Sequence, residues 1–282
     1  MPSSEHYYHT GKRTSFLRHS TLDPQRKTLL FLHGIGDSSL SYLPFLQTPA
    51  FKDFNILIPD WLGYGKSSAS DDYHFKTQVT LLLEHLQALA HERRFTAEEI
   101  ILVPHSMSGI HAMLLCDSPL KNQIKGVINV EGSLTQYGSF IANKVSRVIA
   151  RGQFESWFEA FKQTVILKSF VSQFPECRTY YDALNLCQPQ AFLQNALEIH
   201  QVCLSESGPY TNRAGNVFAK LPLPKVYCYG DQSLCKESLD FLQQHAIPTH
   251  AFHTANHFVM LACLEEFIHF IKRWIKYRIH PI

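Results

Sequence analysis

The chain has 282 residues, 45% of them hydrophobic and 18% charged, and 26 Lys and Arg stand against 24 Asp and Glu for a formal net charge of +2. Such a length and balance suit a globular chain with one large α/β domain, or a core carrying a smaller insert. The basic residues are scattered, which gives no electrostatic case for nucleic acid or an acidic membrane surface, and no apolar run approaches the roughly 20 residues of a membrane span.

Residues 1–18 are polar and lack the apolar centre of a secretory leader. The 7 cysteines are odd in number, with no Cys-x-x-Cys pair, and read as reduced thiols, so a cytoplasmic protein is expected. Thr28–His33, Asn55–Pro59 and Glu99–Pro104 are short, continuous apolar segments, as buried parallel strands should be. Between the last two, Val79, Leu82, Leu83, Leu86, Leu89 and Ala90 form one stripe of a helix predicted from Phe75 to Arg93. Ser106 to Cys116 reads as the next helix and Gly126–Val130 as the next strand.

From about Gly132 to Leu223 the strand rhythm stops. Aromatic-rich helical stretches replace it, with Phe154, Trp157, Phe158 and Phe161 at i, i+3, i+4 and i+7. Strands resume at Lys225–Tyr229 and Thr249–Thr254. A final helix carries Phe267, Phe270, Ile271 and Trp274 on one side, and Lys272, Arg273 and Lys276 on a solvated face near its C-terminus. The order implies a parallel sheet flanked by helices and interrupted by a helical insert.

The run Pro104-His105-Ser106-Met107-Ser108-Gly109 joins a buried strand directly to a helix. A serine on so sharp a turn projects its hydroxyl above the sheet, at the positive end of the following helix. The positions two before and two after it must be small; Ser108 fits, whereas Pro104 departs from the usual glycine. Taken alone, the motif equally suits a serine that caps a helix. Supporting parts follow in order. His33-Gly34-Ile35-Gly36 after the first predicted strand lets backbone amides turn toward the serine, and the amides of Ile35 and Met107 are the expected oxyanion donors. His257, in the loop between the last strand and the last helix, can reach Ser106 as a general base. His33 is expected to be a hydrogen-bonded structural residue, and the turn should point His105 away from Ser106. His250 and His253, three apart on a strand, face opposite ways and make no metal site with His257. No phosphate loop or metal-ligand cluster has useful spacing, so no cofactor and no metal are expected.

Together His33-Gly34, Asp60-Trp61-Leu62-Gly63-Tyr64-Gly65-Lys66-Ser67, His105-Ser106-Met107 and Asn256-His257-Phe258 resemble the α/β-hydrolase superfamily over nearly the whole chain. The resemblance implies an α/β-hydrolase core from residues 1–132 and 223–282, and a helical cap from 133–222 inserted after the sixth strand. Superfamily members usually carry the triad acid after the seventh strand, three residues past a glycine. Here that glycine is Gly230 and the position holds Ser233, with Asp231 two residues early. The alternative is Glu131 after the sixth strand, resembling the placement in haloalkane dehalogenases. Glu131 is preferred because a charge ending an apolar strand needs a partner, which His257 would supply. The serine nucleophile sets the chain apart from those dehalogenases and from epoxide hydrolases, which use aspartate there. The expected activity is ester hydrolysis through an acyl-enzyme, on a small or medium hydrophobic substrate. Thioester hydrolysis, acyl transfer and carbon–carbon bond hydrolysis share the same residues, and a non-catalytic ligand-binding protein on this fold is the remaining alternative.

Overall fold

The structure is a computed structural model that describes residues 3–93, 98–203 and 213–279. Eight strands form one sheet in the order β1-β2-β4-β3-β5-β6-β7-β8. From β3 (Lys27–Leu32) and β4 (Phe54–Asp60) through β5 (Ile100–Pro104), β6 (Ile124–Val130), β7 (Lys225–Gly230) and β8 (Thr249–Phe252), every pairing is parallel. Helices lie between successive parallel strands, as the crossovers of a parallel sheet require: α1 (Phe75–Arg93), α2 (Ser108–Cys116) and, before β8, α8 (Lys236–Gln244), with α9 (Leu264–Trp274) following it. The inner strands are largely apolar because helices cover both faces; Leu29, Phe31, Ile56, Ile101, Val127 and Ile128 are fully buried.

β1 (Ser3–Thr10) and β2 (Arg13–Ser20) form an antiparallel hairpin that pairs β2 against β4. Sequence patterning does not reveal β1. It is an edge strand with most side chains in solvent, so it carries no apolar run. Gly11, at φ +56°, makes the tight turn between the two strands.

Two boundaries differ from expectation for local reasons. The helix predicted from Ser106 starts at Ser108, because Ser106 itself sits at φ +53° and belongs to the turn. β8 stops at Phe252, so His253 lies past the strand and its Nδ1 bonds Asp231.

Between β6 and β7 the chain leaves the sheet. It forms α3 (Phe140–Ile149), α4 (Phe154–Ala160), a π-helical segment (Phe161–Phe170), α5 (Arg178–Leu186), α6 (Pro189–Cys203) and α7 (Arg213–Lys220). The aromatic stripe read from α4 packs largely on itself and on α6: Phe158 and Phe161 both lie against Phe192. Tyr64 reaches from the sheet side to donate its hydroxyl proton to Asn195 on α6, at 2.8 Å.

Candidate active site

All the residues singled out by sequence follow the C-terminal ends of parallel strands, the edge at which open α/β sheets bind ligands. Ile35 follows β3, Ser106 follows β5, Glu131 follows β6, and His257 follows β8. Ile35, Ser106, Glu131 and His257 line one cavity of about 460 Å³, together with residues of the helical segment between β6 and β7.

Ser106 holds the left-handed conformation, which costs a non-glycine residue free energy and persists only where surroundings impose it. Its amide donates to Val130 O at 3.0 Å, and its carbonyl accepts from Ser133 and Gly109 at 2.9 and 3.0 Å. Pro104 fits because the β5–β6 ladder is interrupted there. Paired residues run to Leu102–Val127 and resume as a single bridge at His105–Val130, so the missing N–H falls in the gap. Ser108, two residues past Ser106, is more than small. Its hydroxyl donates to His33 O and accepts from Trp61 Nε1 at 3.0 Å, tying the turn to β3. Gly34 is required by closeness: a Cβ there would stand 3.0 Å from both Ser106 Cβ and His105 Nδ1.

His257 Nδ1–H donates to Glu131 Oε2 at 3.0 Å. That fixes the tautomer, leaving Nε2 as the lone-pair nitrogen. Glu131 Oε1 accepts from the Gly230 amide at 2.8 Å and from the Ser233 hydroxyl. Asp231 turns the other way and accepts from His253 Nδ1 at 2.8 Å and from the Thr254 amide at 3.1 Å. The geometry therefore joins His257 to Glu131 and leaves Asp231 out. Among the described residues the Ser106 hydroxyl makes no hydrogen bond, and the amides of Ile35 and Met107 donate to no other group.

The His105 side chain is turned toward the His257 loop. Its ring lies against that of His257, centroids 4.8 Å apart, and its Nε2–H donates to the His257 carbonyl at 3.2 Å. Burial holds it neutral, with a pKa well below the ordinary histidine range. His33 is structural, as expected: Nδ1–H donates to Gly34 O at 2.8 Å and Nε2 accepts from the Trp61 amide at 3.1 Å. Sequence reasoning gave no role to Asn256. Its carboxamide accepts from the Phe258 amide at 2.8 Å and donates to Glu176 at 2.9 Å, anchoring the His257 loop to the helical segment. Asn directly before the loop histidine was the only available signal. Ser233 was visible as the occupant of the position where the superfamily carries its acid, but its service to Glu131 was not.

Among the described residues no group of three or more His, Cys, Asp and Glu is placed to hold a metal ion, and no helix is long and apolar enough to cross a membrane.

A mostly parallel sheet flanked by helices, with a strained serine turn and a histidine–carboxylate pair at its C-terminal edge, is the architecture of the α/β-hydrolase fold. The model of the α/β-hydrolase fold family matches residues 27–228, and the chain belongs to that family. It is 28% identical over 211 residues to the uncharacterised protein YbdG of Bacillus subtilis, a match covering 71% of this chain and 60% of that relative's length. Among solved structures it resembles the N-acyl homoserine lactonase AidH in complex with N-hexanoyl homoserine, at TM-score 0.71 and 17% identity, with 98% of each chain covered. A thermophilic esterase from Thermogutta terrifontis matches at TM-score 0.69 and 14% identity, over 99% of this chain and 100% of that one.

Proposed function

We propose that the chain is a serine hydrolase acting on carboxylic esters, with Ser106 as nucleophile, His257 as general base and Glu131 as the acid that orients it. Ser106 Oγ attacks the ester carbonyl carbon while its proton passes to His257 Nε2. The tetrahedral oxyanion lies between the Ile35 and Met107 amides, which have no competing acceptor among the described residues. Collapse expels the alcohol, which takes the proton from His257, and leaves an acyl-enzyme. Water, deprotonated by the same nitrogen, attacks the acyl carbon, and the acid leaves as Ser106 regains its proton. Proton transfer requires Ser106 Oγ to come within hydrogen-bond reach of His257 Nε2, a contact of the kind that tightens when substrate binds. Residues 133–222 act as a cap over the cavity, keeping water away from the reacting carbonyl.

The observation that carries this reading is the 3.0 Å bond between His257 Nδ1 and Glu131 Oε2 in the cavity that Ser106 also lines. A fluorophosphonate probe followed by peptide mass spectrometry tests it. The expected adduct is on Ser106, absent in Ser106→Ala and His257→Ala, and accompanied by hydrolysis of activated esters. A folded wild-type protein that neither labels nor hydrolyses any ester would remove the reading and favour a ligand-binding role.

A further inference from the structure

The π-helical segment Phe161–Phe170 is the least ordinary element of the fold. Such helices are rare, mostly single turns, and frequent at functional sites; this one runs for 10 residues. Its last bond has the Val171 amide donating to Ile166 O, five residues back. The winding decides which side chains share a face. In an α-helix, at about 100° per residue, positions nine apart point in opposite directions. An i→i+5 winding returns positions four, five and nine apart to one side. Phe161, Val165, Ile166 and Phe170 have that spacing, and all four line the cavity containing Ser106. An α-helical version of the same sequence would turn Phe170 away from Phe161.

The rest of the lining fits the same occupant. Phe258 and Ile35 continue the apolar wall beside Ser106, and among the described lining residues none is Lys or Arg. Phe140 and Val165, 75% and 48% exposed, are both lining residues and so form the mouth. A carboxylate or phosphate on the acyl portion would meet no cation here, and would be desolvated without a partner.

Resting on the hydrolase reading above, we infer that the π-helical segment is the acyl-chain wall of the site, and that the substrates are esters of uncharged, apolar acyl groups of medium length. Each added methylene laid against this wall raises kcat/KM about threefold to fourfold until the cavity is filled.

The test uses nitrophenyl esters of acetic, butyric, hexanoic and octanoic acids, with the anionic succinic monoester as the charged analogue of the butyrate. Wild type is expected to rise more than tenfold from acetate to the best longer ester, and to turn over the succinate at least tenfold more slowly than the butyrate. Val165→Asp puts a charge on the wall at a half-exposed position the fold tolerates. It should flatten the chain-length profile, and the near-isosteric Val165→Thr should flatten it partly. Thr164→Asp, exposed on the other side of the segment, should leave the profile unchanged. A Val165→Asp profile like wild type, or succinate turned over as well as butyrate, overturns the inference. Ester turnover without chain-length dependence sinks the wall and leaves the hydrolase reading standing. Should the wild type neither label nor turn over, the hydrolase reading falls and the wall is tested by calorimetry with 2-octanone. Saturable binding weakened by Val165→Asp supports the wall, and no binding overturns it.

Discussion

Glu131 is held by three donors on separate elements: the Gly230 amide and Ser233 hydroxyl on Oε1, and His257 Nδ1 on Oε2. Such a carboxylate has its lone pairs directed before substrate arrives, which preorganises the imidazole without reorganisation during reaction. Ser233 stands where the superfamily usually carries the acid itself, so in the proposed triad the two residues would divide what one aspartate does elsewhere, with Glu131 supplying the charge and Ser233 holding it in place. Glu131→Gln keeps the shape and removes the charge. It is expected to lower kcat by on the order of 10⁴-fold, as loss of the orienting charge does in a triad. Asp231→Asn touches only the exposed His253 pairing and the Thr254 amide bond, and should leave kcat within about twofold, since surface ion pairs contribute little. Ser233→Ala should fall between them. Steady-state kinetics on one activated ester decide the order, and a larger loss in Asp231→Asn than in Glu131→Gln would transfer the role to Asp231.

At the scale of elements, the loop after β3 and the helices between β6 and β7 form a single joint. Gly36 sits at φ +75°, and a Cβ there would meet Leu184 Cδ1 at 2.7 Å and Tyr180 Oη at 3.1 Å. Tyr180 also donates its hydroxyl proton to Ile35 O at 3.3 Å. Gly36→Ala therefore both strains the backbone and pushes α5 outward, at a cost of about 1–3 kcal/mol. Because the Ile35 amide shares that loop, kcat/KM should drop together with the urea midpoint, and a variant with both unchanged would disprove the coupling. Elements of this kind divide by how far the sequence foretells them. The parallel strands are legible because burial on both faces makes them continuous apolar runs, and the range of α1 is legible from its stripe. β1 is not, since a solvated edge strand leaves no such trace. The π winding is equally hidden: Phe161, Val165, Ile166 and Phe170 fit no α-helical face, and only packing against the cavity makes their spacing meaningful. Ser106, Glu131 and His257 could be nominated from their places after strands. Choosing between Glu131 and Asp231 required knowing which way each side chain leaves the sheet edge.

For the molecule as a whole, buried titratable groups set how it responds to acid. His33, His85, His105 and His111 are buried and neutral. Desolvation lowers His33 to about 4 and His85 to about 3, and the other two well below the ordinary 6.5. For His85, the neighbouring His6 and His19 add to the lowering and Glu92 opposes it. On unfolding in acid each histidine takes up a proton that the folded chain refuses, so this stability is lost as pH falls from 6.5 toward 4. Asp37 and Asp60 act in the opposite sense. Burial raises them from 3.8 to about 7 and about 6, so they stay protonated in the fold and release protons on unfolding, losing stability as pH rises through that range. Near pH 5 the four histidines outnumber the two aspartates, and stability should rise with pH. His33, His105 and His111 also surround the nucleophile turn: His111 stacks on Trp61 at 3.9 Å, and His105 holds the His257 carbonyl. Charging them would put a buried donor where Nδ1 of His105 has no acceptor, so the site and the fold should fail over the same acid range. Urea midpoints and ester turnover measured from pH 4.5 to 7 should therefore fall together. His111→Phe, which keeps the stacked ring and removes its titration, should make stability less steep in pH over this range. Stability that is flat or increases on acidification would mean that the two aspartates govern the response, and that the histidines around Ser106 reach water in the folded state.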